Sequence, residues 1–252
     1  MNIEIKGVVK GYNPGWIFVD NIEKPKTALI WSKAIEGFYF IGKENNIGFN
    51  SSINEYIDIE ITPRAKSLGL DLFEFSGTSK EWDITINELS KHRSLNKSKQ
   101  ITYKNENIQN SLIKDNKLEK DFKLVKVDKN LFKSNIFNLN FLKNMILDWC
   151  VSEEYFLKEG VGFCILHNKR IVSCCISSCV TKNEIGSHTV TLKQYRNKGL
   201  AKGVINEFLR YCKANGFEPN WDCMEKNSGS RALAESCGYT KAFDYFLYDF
   251  KL

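Results

Sequence analysis

Apolar and polar positions alternate most regularly in the second half of the chain. Residues 122–127, FKLVKV, and 161–166, VGFCIL, are short β-rich runs. Between them, residues 138–158 carry Phe141, Met145, Ile146 and Trp149 at helical spacing, predicting one or two helices that bury those side chains. His167-Asn168-Lys169-Arg170 reads as a hairpin turn and Ile171 to Val180 as its return strand. Thr181-Lys182-Asn183 is a second turn, and Glu184 to Leu192 a third strand. A helix follows from Leu200. Leu200, Val204, Phe208 and Tyr211 mark its buried stripe, Ile205, Leu209 and Cys212 widen it, and Asn215-Gly216 ends it. A strand around 219–223, a helix from about Ser228 to Cys237 stopped by Gly238, and an aromatic strand over 245–250 complete the series.

The first half is less regular. Ile30-Trp31, GFYFIG at 37–42 and YIDIEI at 56–61 are strand candidates, the last alternating with a period of two. Residues 27–36 and 80–91 read as helical or loop-like, and Pro14-Gly15, Pro25 and Pro63 punctuate turns. TYKNENIQNSLIKDNKLEKD, residues 102–121, is polar and reads as a linker with room for a short helix. The pattern predicts an α/β protein with a mixed sheet in two units, an N-terminal α/β domain over 1–101 and a second domain over 122–252.

Charge and cysteine content step at the same place. Residues 1–121 hold 17 Lys+Arg and 17 Asp+Glu, whereas 122–252 hold 19 and 13 and so carry the whole net charge of +6. An anionic ligand on the second half would suit this balance. A nucleic-acid partner is not expected: Lys91, Arg93, Lys97 and Lys99 form a basic stretch without interleaved aromatics. All eight cysteines lie in the second half with no C-x-x-C pair, which points to buried apolar thiols and not to a metal site. No apolar run approaches the roughly 18 residues of a membrane span, and the first residues lack the apolar core of an export signal, so the cytoplasm is the expected location.

The third strand delivers the chain to QYRNKGLAKG, residues 194–203. A glycine-bearing basic turn between a strand and a helix is built to meet an anion, because main-chain N–H groups converge there and the helix dipole adds positive potential. The spacing of Gly199 and Gly203 fits neither a P-loop nor, with Asp222, more than a weak imitation of a dinucleotide fingerprint. Arg196-Asn197-Lys198-Gly199-Leu200-Ala201 has the form [QR]-x-x-G-x-[GA], which suits a pyrophosphate, with Lys202 adding charge.

With the order of elements around it, this motif resembles the GNAT superfamily of acyl-CoA-dependent N-acyltransferases over residues 122–252. EIGSHTVTLKQYRNKGLA, WDCMEKNSGSRALAESCGY and VGFCILHNKRIVSCC resemble the branch that includes zwittermicin A N-acetyltransferases. The resemblance implies acetyl-CoA as cosubstrate and a small-molecule primary amine as acceptor. The pantetheine arm would lie along Thr189, Val190 and Thr191, the pyrophosphate on Arg196 to Ala201, and Asn227 beside the pantetheine. Glu184 and His188, four apart on one strand face, are the candidate bases. The tyrosine that many GNAT enzymes carry four residues before the last helix's glycine is Ala234 here, so an acyl-CoA-binding protein without turnover is the alternative. Asp148, Glu153, Glu154 and Glu159 would attract a cationic amine, or form a solvated helix face. The N-terminal unit would cap the acceptor cleft, make a homodimer contact, or be a degenerate duplicate of the second.

Overall fold

The computed structural model describes residues 2–113 and 118–252. The first half runs α1 (Ile3–Val9), β1 (Gly15–Val19), β2 (Thr27–Ser32), β3 (Gly37–Gly42), α2 (Ile47–Tyr56), α3 (Thr62–Ser67), β4 (Leu72–Gly77), α4 (Lys80–Leu89) and β5 (Asn96–Lys104). The second runs β6 (Phe122–Lys126), α5 (Lys129–Phe132), α6 (Leu139–Trp149), α7 (Glu153–Glu159), β7 (Gly162–His167), β8 (Arg170–Val180), β9 (Glu184–Thr191), α8 (Leu200–Asn215), β10 (Glu218–Met224), α9 (Ser228–Ser236) and β11 (Thr240–Lys251). These strands form one mixed sheet, in the order β1-β2-β3-β4-β11-β5-β10-β9-β8-β7-β6.

The two halves repeat one topology. Three antiparallel strands lead through helix to a fourth strand parallel to the third, β4 beside β3 and β10 beside β9. Each half then adds a helix and a final strand, and the final strands are exchanged. β11 pairs antiparallel with β4 of the first half, and β5 pairs antiparallel with β10 of the second. β5 and β11 pair with each other at the centre of the sheet.

The boundary expected after residue 101 therefore falls inside a central strand, where Thr102 and Tyr103 are buried. The segment beyond it is packed as well. Ile108 is 3% exposed against the core under α8, and Lys213 Nζ donates to Ser111 O at 3.0 Å. Residues 114–117 of that stretch lie outside the described residues.

Two expectations for the first half are corrected. Residues 27–32 are strand β2, buried along its whole length. Residues 57–61 are not a strand but a π-helical turn joining α2 to α3. Ile53, Ile57, Ile61 and Ala65 are all buried while Ile59 is 60% exposed, so the governing spacing is i, i+4; the period of two was an accident of Asp58 and Glu60 falling between isoleucines. In the second half, residues 138–158 form two helices, and the buried face of α6 is Leu142, Met145 and Ile146, with Phe141 exposed. The eight cysteines are free and buried, five of them on strands.

The sheet curls. α1 touches β1 and β2 on one side and β8 and β9 on the other. Seven strand spacings of about 4.8 Å separate β2 from β8 along the ladder, whereas seven helical residues span only about 10 Å. The sheet must bend around α1 for both contacts to exist. Gly7 permits this seat, since a Cβ there would collide with Asn13 Oδ1 and Cys179 Sγ. Asn13 Nδ2 then donates to Ser178 O (2.6 Å) and Trp149 O (2.7 Å), tying the first half to β8 and α6.

Candidate functional site

β9 and β10 start as a parallel pair and then part. Their register covers only Glu184–Gly186 with Glu218–Asn220, leaving Ser187 to Thr191 beyond the last pair. On its other side β9 stays bonded to β8, and Leu192 N donates to Val172 O at 3.0 Å. Main-chain groups alternate between the two edges of a strand. Those of His188 and Val190 therefore face β8, and those of Ser187, Thr189 and Thr191 face the gap. Side chains divide the other way. His188 and Val190 point toward the α6 layer, where the His188 ring lies 4.9 Å from Trp149. The Thr189 Oγ1 is buried without a hydrogen-bond partner.

The gap leads to the basic turn. Asn197 (φ 63°) and Gly199 (φ 73°) both adopt the left-handed conformation that asparagine and glycine tolerate, and residues 196–199 are exposed. The first bond of α8 runs from Gly203 N to Gly199 O at 3.1 Å, so the N–H groups of Leu200, Ala201 and Lys202 lie ahead of the ladder. Arg196 Nε donates to Thr191 O at 3.3 Å, fastening the turn to the end of β9. The Asn227 side chain caps α9, its Oδ1 accepting from Ser230 N at 3.1 Å.

On the α1 and α6 side of the parting strands lies a cleft of about 230 Å³, lined from both halves by α1, β3, β4, β5, β8, β9, β10 and β11. Asp222 of β10 opens into it, with Thr102 Oγ1 donating to Oδ2 at 2.7 Å and the Tyr245 hydroxyl donating to Oδ1 at 3.1 Å. Asn2 Nδ2 in turn donates to the Tyr245 oxygen at 3.1 Å. Enclosure by the cleft walls raises the Asp222 carboxyl to about 6, against the two donors that lower it. Glu4 of α1 is 6% exposed. Burial first, and the Asp222 charge second, lift its carboxyl to about 8, although Ser178 Oγ donates to Oε1 at 3.4 Å. Its Oε2 has no hydrogen-bond partner.

The residues singled out by sequence separate accordingly. His188 lines the cleft, and burial depresses its pKa against the opposing charge of Asp148. Glu184 does not join it. It sits at the closed end of the β9–β10 pair, ion-paired with Lys6 and with Lys104 (3.2 Å). Burial opposes its charge, but the two lysines outweigh that and hold its carboxyl below the usual range. Of the α6–α7 acids, Glu153 is paired with Lys143 (3.1 Å) and Glu159 with Lys158 (3.1 Å). Ala234 is fully buried, so no side chain from that position reaches the gap. Sequence reasoning missed Glu4, Tyr39, Thr102 and Tyr245, and met Asp222 only as part of a failed fingerprint. Glu4 left one signal, a carboxylate set between Ile3 and Ile5 in a short apolar helix.

A mixed sheet with a parted parallel pair, followed by a glycine turn into a helix, defines an acyl-CoA-dependent N-acyltransferase fold. The family described as GNAT acetyltransferase matches residues 2–248, and the chain belongs to it. An uncharacterized N-acetyltransferase of Bacillus subtilis, YdfB, is 30% identical over 237 residues, covering 93% of this chain and 85% of that one. In fold, the chain is similar to a GCN5-related N-acetyltransferase-like protein from Streptococcus suis (TM-score 0.66, 20% identity, 98% of this chain and 92% of that one). It is also similar to a tandem GNAT protein from the clavulanic acid biosynthesis pathway (TM-score 0.62, 8% identity, 100% and 88%). The protein is an N-acetyltransferase of a family that uses acetyl-CoA as cosubstrate.

Proposed function

We propose that the chain transfers the acetyl group of acetyl-CoA to a primary amine of a small molecule. One observation carries this reading: β9 runs on beyond its last pair with β10, leaving the main-chain edge at Thr189 open, and leads straight into the exposed turn at the start of α8, with the cleft alongside. The residues present fit the cosubstrate. Thr189 and Thr191 offer main-chain groups to an amide-bearing arm, with Val190 completing that strand segment. Leu200, Ala201 and Lys202 supply N–H groups, and Arg196, Lys198 and Lys202 charge, for a pyrophosphate at the turn that Asn197 and Gly199 shape. Asn227 spends its side-chain oxygen on the cap and keeps its amide N–H groups for the arm.

Acetyl-CoA supplies the acyl group as a thioester; as the acceptor nitrogen bonds to the carbonyl carbon, the C–S bond breaks. The attacking nitrogen must lose a proton. His188, kept uncharged by burial, accepts it, while Glu184 stays committed to its two lysines. Main-chain N–H groups on the open edge of β9 oppose the charge that develops on the carbonyl oxygen. The branch resemblance supports an amino compound of antibiotic type as acceptor.

Thermal unfolding with acetyl-CoA tests the reading. At a hundred times its dissociation constant the ligand stabilises the native state by about 2.7 kcal/mol, and an Arg196→Glu/Gly199→Asp double variant loses this. An amine screen for free thiol then separates turnover from binding alone. An unfolding curve unmoved by millimolar acetyl-CoA sinks the reading.

A further inference from the structure

The cleft runs against the charge of the chain. The protein carries a net +6, yet among the described residues lining the cleft there is no lysine or arginine and there are three carboxylates, Glu4, Glu74 and Asp222. Glu4 is 6% exposed and its Oε2 lacks any donor, so burial favours the neutral carboxyl until a cationic or donor partner completes it. Trp149, beside His188, adds aromatic surface to the same walls, which a cation also favours. Lys6 and Lys104, the nearest cations on α1 and β5, are already engaged by Glu184 and, for Lys104, Glu218.

We infer that the cleft recognises the acceptor as an ammonium ion, seated against Asp222 and Glu4, so that acceptor specificity is set by α1 and the exchanged strands as much as by the second half. This rests on the acyl-transfer reading. The cleft volume is the liquid share of about seven or eight waters at roughly 30 Å³ each, which admits an ammonium head on a stem of a few heavy atoms. Any larger remainder of the acceptor lies outside. Asn2, Tyr245 and Thr102 hold Asp222 in place by the bonds they already make.

The inference fixes a pH dependence. Facing Glu4 are Ser178 of β8, Asp222 of β10, Tyr39 of β3, Tyr245 of β11, His188 of β9 and Glu74 of β4. Burial keeps both phenols well above their ordinary pKa and His188 below its own, so these stay neutral near pH 7. Burial, with the charges of Asp249 and Glu36, also raises Glu74, against Lys226, which lowers it. Asp222 titrates near 6 and Glu4 near 8, so the cleft gains negative charge, and a cation binds more tightly, as pH rises from 6 to 8.5.

The test titrates the full chain with ethanolamine, 1,3-diaminopropane and n-butylamine, beside ethylene glycol, n-butanol and magnesium ion, following thermal unfolding at pH 6 and 8.5. Each series runs with and without acetyl-CoA. At least one amine is expected to stabilise the wild type, at least tenfold tighter at pH 8.5 than at pH 6. Glu4→Gln and Asp222→Asn each weaken it tenfold or more while keeping the acetyl-CoA response; the surface control Glu153→Gln leaves it unchanged. The inference is overturned if no amine binds, if the alcohols or magnesium bind as well, or if both variants bind amine like the wild type. A wild type that binds amine but ignores acetyl-CoA would instead break the acyl-transfer reading alone.

Discussion

The parallel pairs of the two halves invite comparison, because the same connectivity is used in opposite ways. β3 and β4 are paired over four residues, Gly37–Phe40 with Glu74–Gly77, up to the end of β4. Aromatic rings fill that region. Phe38 stacks on Phe73 at 4.1 Å, Phe73 on Phe250 at 5.0 Å, and Trp31 on Phe38 at 4.9 Å. β9 and β10 are paired over three residues only, and polar groups line the wedge that opens beyond them. The helix entries differ in the same sense. α2 begins behind Asn46, whose side chain accepts from Phe49 N at 3.3 Å, whereas α8 begins behind Gly199 with no side-chain cap. One wedge is closed by its own core, and its helix is capped by an asparagine side chain; the other stays open beyond Gly186.

Three substitutions break or sharpen this contrast. His188→Ala, in the open wedge, should lower kcat of the amine-dependent reaction by about 10²–10⁴-fold, the usual share of a positioned base, with little change in the unfolding midpoint. Steady-state thiol release read beside a denaturation curve checks both halves of that statement. Phe38→Ala, in the closed wedge, should do the reverse: about 3–5 kcal/mol less stable by urea titration, with acetyl-CoA affinity unmoved. Asn227→Ala is the mildest. Losing the cap of α9 costs about 1 kcal/mol, and an additional drop in acetyl-CoA affinity would support the proposed contact of that side chain with the pantetheine.

The open half was the readable one. From β7 to α9 the chain alternates clear strands, short turns and glycine-stopped helices, and Asn168-Lys169 (φ 49° and 56°) and Gly216 (φ 73°) adopt the left-handed geometry their places demand. The closed half hid its plan because aromatic strands buried on both faces lack alternation, as β2 does, and because an isoleucine every four residues across Ile53–Ile61 also reads as every two around Ile59. The exchange of β5 and β11 has no local signature at all. It pairs Lys104 with Thr240 and Phe75 with Tyr248, contacts fixed by the finished sheet and not by neighbours in the chain. The same holds for the cleft. Glu4, Thr102 and Asp222 are far apart in sequence and meet only where the sheet bends around α1.

The exchanged strands also bear on how the molecule is made. During synthesis β4 emerges with one edge bare, and its partner, β11, is the last strand of the series to appear. The first half's sheet cannot be finished until that strand is available, so it waits on the ribosome with an unpaired edge that carries Phe73 and Phe75. Such edges recruit other chains, and pairings this remote in sequence form slowly. A nascent chain stalled before residue 240 should therefore be a chaperone client, and release of β11 should end that dependence.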